Sequence, residues 1–324
     1  MPENELLQQA PKVPDTIWNA LTVDVEDYFM VTAFANGIKF EDWPRYECRV
    51  ERNTQRILEL LEQYGVKGTF FVLGWVAENY RSLIRDIQAA GHEIACHGYN
   101  HRLIYDLTKE EFREDVRKAK TTLEDITGMP VNGYRATSYS IIKKTFWALD
   151  ILVEAGFRYD SSIFPVHHDL YGVPGAKRFF HTIKTGAGEI LEIPPTTFTL
   201  LGQNIPAAGG GYFRLYPLRL TKAIIRRINE IEKKTAVIYV HPWEIDVDQP
   251  RLQGGLLSKF RHYVNLRTTE PKLGGCMKEF KFKPISEIFI VPTKSQHPAD
   301  VPANRQSAGR KPGDVPAGLI ADAV

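Results

Sequence analysis

The chain has 324 residues, 43% hydrophobic and 25% charged, the balance of a folded globular protein and not of a disordered or membrane-embedded one. Its 41 basic and 39 acidic residues leave a formal charge of +2, which gives no electrostatic reason to expect nucleic acid as a partner. Three widely spaced cysteines, Cys48, Cys96 and Cys276, form neither a disulfide framework nor a CxxC site.

Met1–Pro14 is polar and lacks the positive-then-apolar pattern of a secretion signal, so a cytoplasmic protein with an N-terminal tail over residues 1–15 is expected. No run reaches the ~18 apolar residues of a spanning helix, so no integral membrane segment is expected. Ala20–Asp24 reads as a strand. Val50–Tyr64 places Ile57, Leu58, Leu60 and Leu61 on one helical face and stops at Gly65. Gly68–Leu73 is a buried strand, Glu78–Ala90 a helix closed by Gly91, and His92–Cys96 the next strand. Thr108 and Glu111 form a capping box that opens a long helix ending at Gly128. Val131–Ala136 is strand-like, Lys143–Ala155 helical and Phe157–Ser161 extended.

Strands separated by helices of this length predict parallel βαβ units. Asp24, His97, Arg135 and Asp160 fall at or just after strand ends, which a (β/α) barrel gathers around one mouth. An open doubly wound sheet would favour a Gly-rich phosphate loop, and neither a GxGxxG nor a Walker sequence is present. The expected fold is α/β, a distorted (β/α) barrel of about seven parallel strands over residues 16–245.

Beyond residue 160 the pattern is less regular. Glu189–Thr199 reads as a strand entering a loop, and Gly209-Gly210-Gly211 marks a tight backbone approach. Leu218–Ile231 is amphipathic, and Ala236–Val240 is a final buried strand delivering His241. Phe260–Glu270 reads as a helix within a C-terminal extension, residues 246–291, expected to pack on the barrel. From Pro292 to Val324, Pro, Gly, Ala and Ser dominate, which predicts a disordered tail.

The segment Gly91–His101 carries the densest chemistry. His97 and His101 are four residues apart after a strand, a spacing that lets both rings reach one divalent cation. Asp24-Val25-Glu26-Asp27, at another strand end, can supply a carboxylate, making a two-histidine, one-carboxylate centre with open positions. Two satisfied surface histidines are the simpler alternative for an isolated HxxxH.

The order of motifs resembles the polysaccharide deacetylases of carbohydrate esterase family four. The pieces are Val23-Asp24-Val25-Glu26-Asp27-Tyr28-Phe29, His97–His101, Arg135-Ala136-Thr137-Ser138-Tyr139, Tyr159-Asp160-Ser161-Ser162-Ile163-Phe164-Pro165 and His241-Pro242-Trp243-Glu244-Ile245-Asp246. Their wording is similar to the branch associated with exopolysaccharide synthesis and exosortase (PEP-CTERM) sorting, whose extension residues 246–290 resemble.

The resemblance implies hydrolysis of the N-acetyl group of an acetamido sugar, with Zn²⁺ as cofactor and an N-acetylated glycan or sugar intermediate as partner. It implies Asp24 as general base, His241 as general acid and Arg135 as the partner of Asp24, a surface salt bridge being the alternative. His97 and His101 become metal ligands. The family's adjacent aspartates are replaced here by Asp24-Val25-Glu26-Asp27. Period-two geometry favours Glu26 as the third ligand, and a strand that breaks before Val25 would favour Asp27.

Asp160 could orient His241 or serve as a turn residue. A backbone N–H near Tyr139 is the expected oxyanion donor, and Trp243 and Tyr212 could stack on sugar or lie in the core. Absence of an export signal points to a substrate at the inner membrane face. The oligomeric state, a homo-oligomer included, is not fixed by the sequence. A small cyclic amide as substrate, or carbohydrate binding without turnover, are the alternative functions.

Overall fold

A computed structural model describes residues 16–168, 170–207 and 209–289. The tails expected at 1–15 and 292–324 lie outside the described residues. The strands are β1 (Asn19–Val25), β2 (Thr69–Val72), β3 (Glu93–Cys96), β4 (Gly133–Tyr134), β5 (Tyr159–Asp160), β6 (His181–Thr185), β7 (Gly188–Glu192), β8 (Thr197–Leu200), β9 (Gln203–Pro206), β10 (Val237–Val240) and β11 (Phe282–Lys283). The helices are α1 (Val50–Gln63), α2 (Gly74–Asn79), α3 (Arg81–Ala89), α4 (Lys109–Thr127), α5 (Trp147–Glu154), α6 (Gly210–Leu215), α7 (Leu218–Arg226), α8 (Leu256–Tyr263), α9 (Thr269–Met277) and α10 (Ile285–Ile288).

The sheet runs β10-β1-β2-β3-β4-β5-β7 with every neighbour parallel, and β6 adds an antiparallel edge to β7. It is the distorted (β/α) barrel that the alternation of elements predicts. Closure between β7 and β10 is made by a single residue beyond β7. Thr196 N–H donates to Val237 O at 3.2 Å, and Thr196 Oγ1 accepts from Val237 N–H at 2.6 Å.

Side-chain alternation sorts the core. In β1, Leu21, Val23 and Val25 join the large cluster beneath the helices. Ala20 instead joins an interior cluster with Phe71, Ala95, Tyr159, Ile193 and Val237. Ile285 and Phe289 from the C-terminal segment enter that same cluster. The Ile285 N–H donates to Thr69 Oγ1 and the Ser286 N–H to Glu93 Oε2, so this segment seals the barrel end opposite the strand C-termini.

Three elements differ from expectation. The helix expected over Glu78–Ala90 is α2 and α3, separated at Tyr80, whose φ of −128° is not helical. Glu189–Thr199, expected as a strand entering a loop, leaves β7 at Pro194-Pro195, which cannot donate to a ladder, but continues as a second strand, β8, in a hairpin with β9. The helix expected over Phe260–Glu270 begins earlier, at Leu256, and stops before Asn265, which is left-handed at φ 54°. Apolar periodicity continues through that turn, so the pattern alone reads as one helix.

Candidate active site and metal centre

The inward parity of β1 that holds Ala20 and Thr22 carries Asp24 to the barrel mouth, and Glu26 follows just beyond the strand. His97 follows β3, Arg135 follows β4 and His241 follows β10, each at its strand's C-terminal end. Their side chains converge because parallel strands of a barrel share one rim.

Asp24 is buried against Arg135, whose Nη1 donates to Asp24 Oδ1 at 2.7 Å and to Thr22 Oγ1 at 2.8 Å. The guanidinium also donates to Ser161 O and Oγ and lies 4.1 Å over the Phe71 ring. Arg135 is fully buried, which excludes the surface-salt-bridge alternative. The guanidinium offsets the cost of burying the Asp24 carboxyl.

Glu26, His97 and His101 each offer a ligand atom, all within 4.8 Å of one another. His97 Nδ1–H donates to Arg135 O at 2.8 Å, which fixes the tautomer and leaves Nε2 as the free lone pair. Burial pushes His97 down to about 4, so the ring is neutral at physiological pH. His101 adopts φ 57°, a left-handed turn that returns its ring toward Glu26, with Nε2 2.6 Å from Oε2. That approach lacks hydrogen-bond alignment, so Glu26 Oε2 is a buried carboxylate oxygen without a donor. Burial alone would raise the pKa of Glu26, yet His101, His241 and His97 hold it below the ordinary carboxylate range. Two neutral-capable imidazoles and an anionic oxygen aimed at a shared point fit a divalent cation of the zinc type.

Asp27 is not brought to this group. Its carboxylate turns the other way and accepts from Tyr28 N–H at 2.8 Å, Val50 N–H at 2.8 Å and Arg49 N–H, satisfying the start of α1. The same alternation that aligns Asp24 with Glu26 sends the next residue outward.

His241 lies across the mouth, Nε2 being 3.9 Å from Asp24 Oδ2 and 3.6 Å from Glu26 Oε1. Its Nδ1 is 2.5 Å from Glu244 Oε1, which also accepts the His241 backbone N–H at 3.1 Å. Burial would lower the imidazole's pKa, but the Glu26, Glu244 and Asp24 carboxylates outweigh it and raise it to about 9. Glu244 is itself held by Arg214, whose Nε donates to Oε2 at 2.7 Å. The remaining Arg214 donors go to the carbonyls of Arg261, His262 and Val264 in and after α8.

Asp160 does not reach His241. It sits at the outward parity of β5, accepts from Ser162 Oγ at 2.5 Å and lies beside the Glu192 carboxyl. Burial raises both carboxyls, and their mutual repulsion raises Glu192 further, so that pair retains a proton. Ser162 Oγ in turn accepts from Ala136 N–H at 2.7 Å, so this cluster braces the backbone beside Arg135.

Trp243 is not an open sugar platform. Its ring lies between His241, 5.3 Å away, and His262, 4.1 Å away, and its Nε1–H donates to Glu26 Oε1 at 3.1 Å. The Tyr139 N–H donates to Ala136 O at 3.0 Å within a tight turn. The Tyr139 ring packs 5.2 Å from Tyr239. Tyr212 lies in a separate slot beyond Tyr239.

Residues 34–159 match the family model "Polysaccharide deacetylase". The chain is related to the polysaccharide deacetylases. Residues 161–290 match a second model, a domain of unknown function, DUF3473. A peptidoglycan deacetylase from Helicobacter pylori is 30% identical over 114 residues, 35% of this chain and 37% of that protein. A peptidoglycan-N-acetylglucosamine deacetylase from Bacillus cereus is 33% identical over 92 residues, 28% of this chain and 32% of that protein. The matched stretch thus spans about a third of the length of these relatives. A Mycobacterium smegmatis protein provisionally assigned as a polysaccharide deacetylase shares the fold at TM-score 0.56 and 21% identity, over 85% of this chain and 90% of its own.

Within this deacetylase-related chain, only His97, His101 and Arg135 of the assembled groups fall inside the first match. Asp24 and Glu26 precede it, whereas Arg214, His241 and Glu244 fall inside the second. Sequence reasoning missed Arg214 as a functional residue and did not pair Glu244 with His241. The three-residue spacing of His241 and Glu244 was a usable signal; for Arg214, whose partners are 30 to 50 residues away, there was none.

Proposed function

We propose that this protein is a metal-dependent deacetylase of an acetamido sugar in exopolysaccharide biosynthesis, of the branch associated with exosortase systems. The observation that carries the reading is the placement of Asp24 and His241 on either side of the Glu26–His97–His101 cluster. When bound there, a divalent cation, which we assign as Zn²⁺, supplies carbonyl polarisation and acidified water.

In this reading Asp24, oriented by Arg135, takes the proton of the attacking water. His241 donates to the departing nitrogen from Nε2 while Glu244 keeps Nδ1 engaged. Burial of Asp24, with the His241 side chain only 15% exposed, limits water at the rim and strengthens their fields. Residues 16–245 form the catalytic barrel, and the extension from residue 246 braces its acid side through the Arg214 contacts to the carbonyls of Arg261, His262 and Val264.

The substrate is an N-acetylated glycan or sugar intermediate at the inner face of the cytoplasmic membrane. No helix among the described residues is long and apolar enough to cross a membrane. The test is acetate release from N-acetylated oligosaccharides, with loss on chelation and recovery on adding Zn²⁺. Undiminished release from metal-free protein would overturn the metal-dependent reading.

A further inference from the structure

A slot of roughly 310 Å³ opens beside the candidate site, lined chiefly by Tyr212, Leu215, Tyr239, Leu257, Phe260 and Arg261. Its inner wall is Tyr239, whose ring centroid is 5.8 Å from that of His241, so the slot ends one ring away from the proposed acid. The approach of α6 that shapes it depends on glycine. A Cβ at Gly209 would lie 1.9 Å from the Tyr239 ring, so any side chain there would push the tyrosine out of the wall. Gly211 also lines the slot, where its bare backbone leaves room.

The outer wall is α8, and it keeps apolar side chains in water. Leu256 is 88% exposed, Leu257 60% and Phe260 57%. Leu215, 44% exposed, faces the same slot. Contiguous exposed apolar surface of this kind marks a binding groove more often than a solvated face. Arg261 lines the slot and makes no ion pair among the described residues. A hydrocarbon chain fits the walls, and an anionic linker fits the unpaired guanidinium.

We propose that this slot binds the hydrocarbon portion of a lipid-phosphate-linked acetamido sugar, with Arg261 on the phosphate and the sugar reaching the Asp24–His241 mouth. This deepens the deacetylase reading and rests on it for the position of the sugar. The occupant is the substrate's own carrier chain.

Binding and turnover separate the two ideas. Calorimetric titration of the full chain would compare acetamido sugars bearing a methyl group, an octyl group, or an octyl chain joined through phosphate. The octyl compound is expected to bind at least tenfold tighter than the methyl compound, and the phosphate-linked one tighter still. Leu257→Asp and Phe260→Asp would each erase the octyl advantage, and Arg261→Gln would erase the phosphate increment. Equal affinity for the methyl and octyl compounds, no binding of any, or an octyl advantage that survives both variants would overturn the proposal. Acetate release from the methyl compound reports on the deacetylase reading alone. Its absence alongside the octyl preference would sink the reaction and leave the slot assigned.

Discussion

Glu244 and His241 are three residues apart on one turn, yet they meet twice, through imidazole Nδ1 at 2.5 Å and backbone N–H at 3.1 Å. A carboxylate so placed fixes which ring nitrogen faces the substrate and keeps the ring charged. Glu244→Gln is expected to lower kcat about 10- to 100-fold with KM and bound-metal content little changed. Steady-state acetate release with metal analysis reads both, and an unaltered kcat would remove Glu244 from the acid's support.

The Arg135–Asp24 pair predicts a separation of stability from activity. Arg135→Met strips a buried carboxylate of its partner and is expected to cost about 3–5 kcal/mol of folding stability. Asp24→Asn keeps the shape but leaves the buried guanidinium without its counter-charge, so it should abolish acetate release and also lower stability, by less than Arg135→Met because Thr22 and Ser161 still accept from the guanidinium. Urea unfolding of both variants checks the order, and a loss for Asp24→Asn as large as that for Arg135→Met would contradict it.

Glu26 and Asp27 are adjacent but point apart, which predicts opposite phenotypes. Glu26→Gln should weaken Zn²⁺ binding about 10- to 100-fold in titrations of chelator-treated protein. Asp27→Asn should leave that affinity unchanged and lower stability by about 1–2 kcal/mol through weakened acceptance at the α1 N-terminus. Reversed effects would exchange the two roles.

His92 should contribute to acid sensitivity far from the mouth. Its Nδ1 accepts from Gly68 N–H at 3.1 Å, and burial, with Lys67 adding repulsion, lowers its pKa from 6.5 to about 4. The folded form therefore binds this proton less readily than the unfolded chain. Stability is retained above pH 6.5 and declines as pH falls from there toward 4. His92→Asn should flatten that window by about 2 kcal/mol, discounted for partial solvent contact. Denaturation midpoints at pH 7 and pH 4.5 measure the difference, and parallel curves for the two proteins would refute it.

Much of the barrel is legible in the sequence because its signals are local. Gly65, Gly91 and Gly128 end helices or their turns at positive φ, as their places in the pattern predict. The capping box at Thr108 and Glu111 forms as read, with reciprocal hydrogen bonds of 2.8 and 3.2 Å. The β6–β7 hairpin was not legible, because His181–Thr185 is polar and only half buried, with no apolar alternation to announce it.

By itself the sequence determined the alternation of strands and helices and the parity of residues along each strand. That parity places Asp24 and Glu26 on one side and Asp27 on the other. Only the tertiary structure decided the partner of His241, the enclosure of Trp243 between two imidazoles, and the bond from Arg214 to Glu244. Parity follows from a backbone repeat of two residues, which any short window contains. The partnerships depend on how separate segments dock, and Trp243 meets Glu26 across 217 residues of chain.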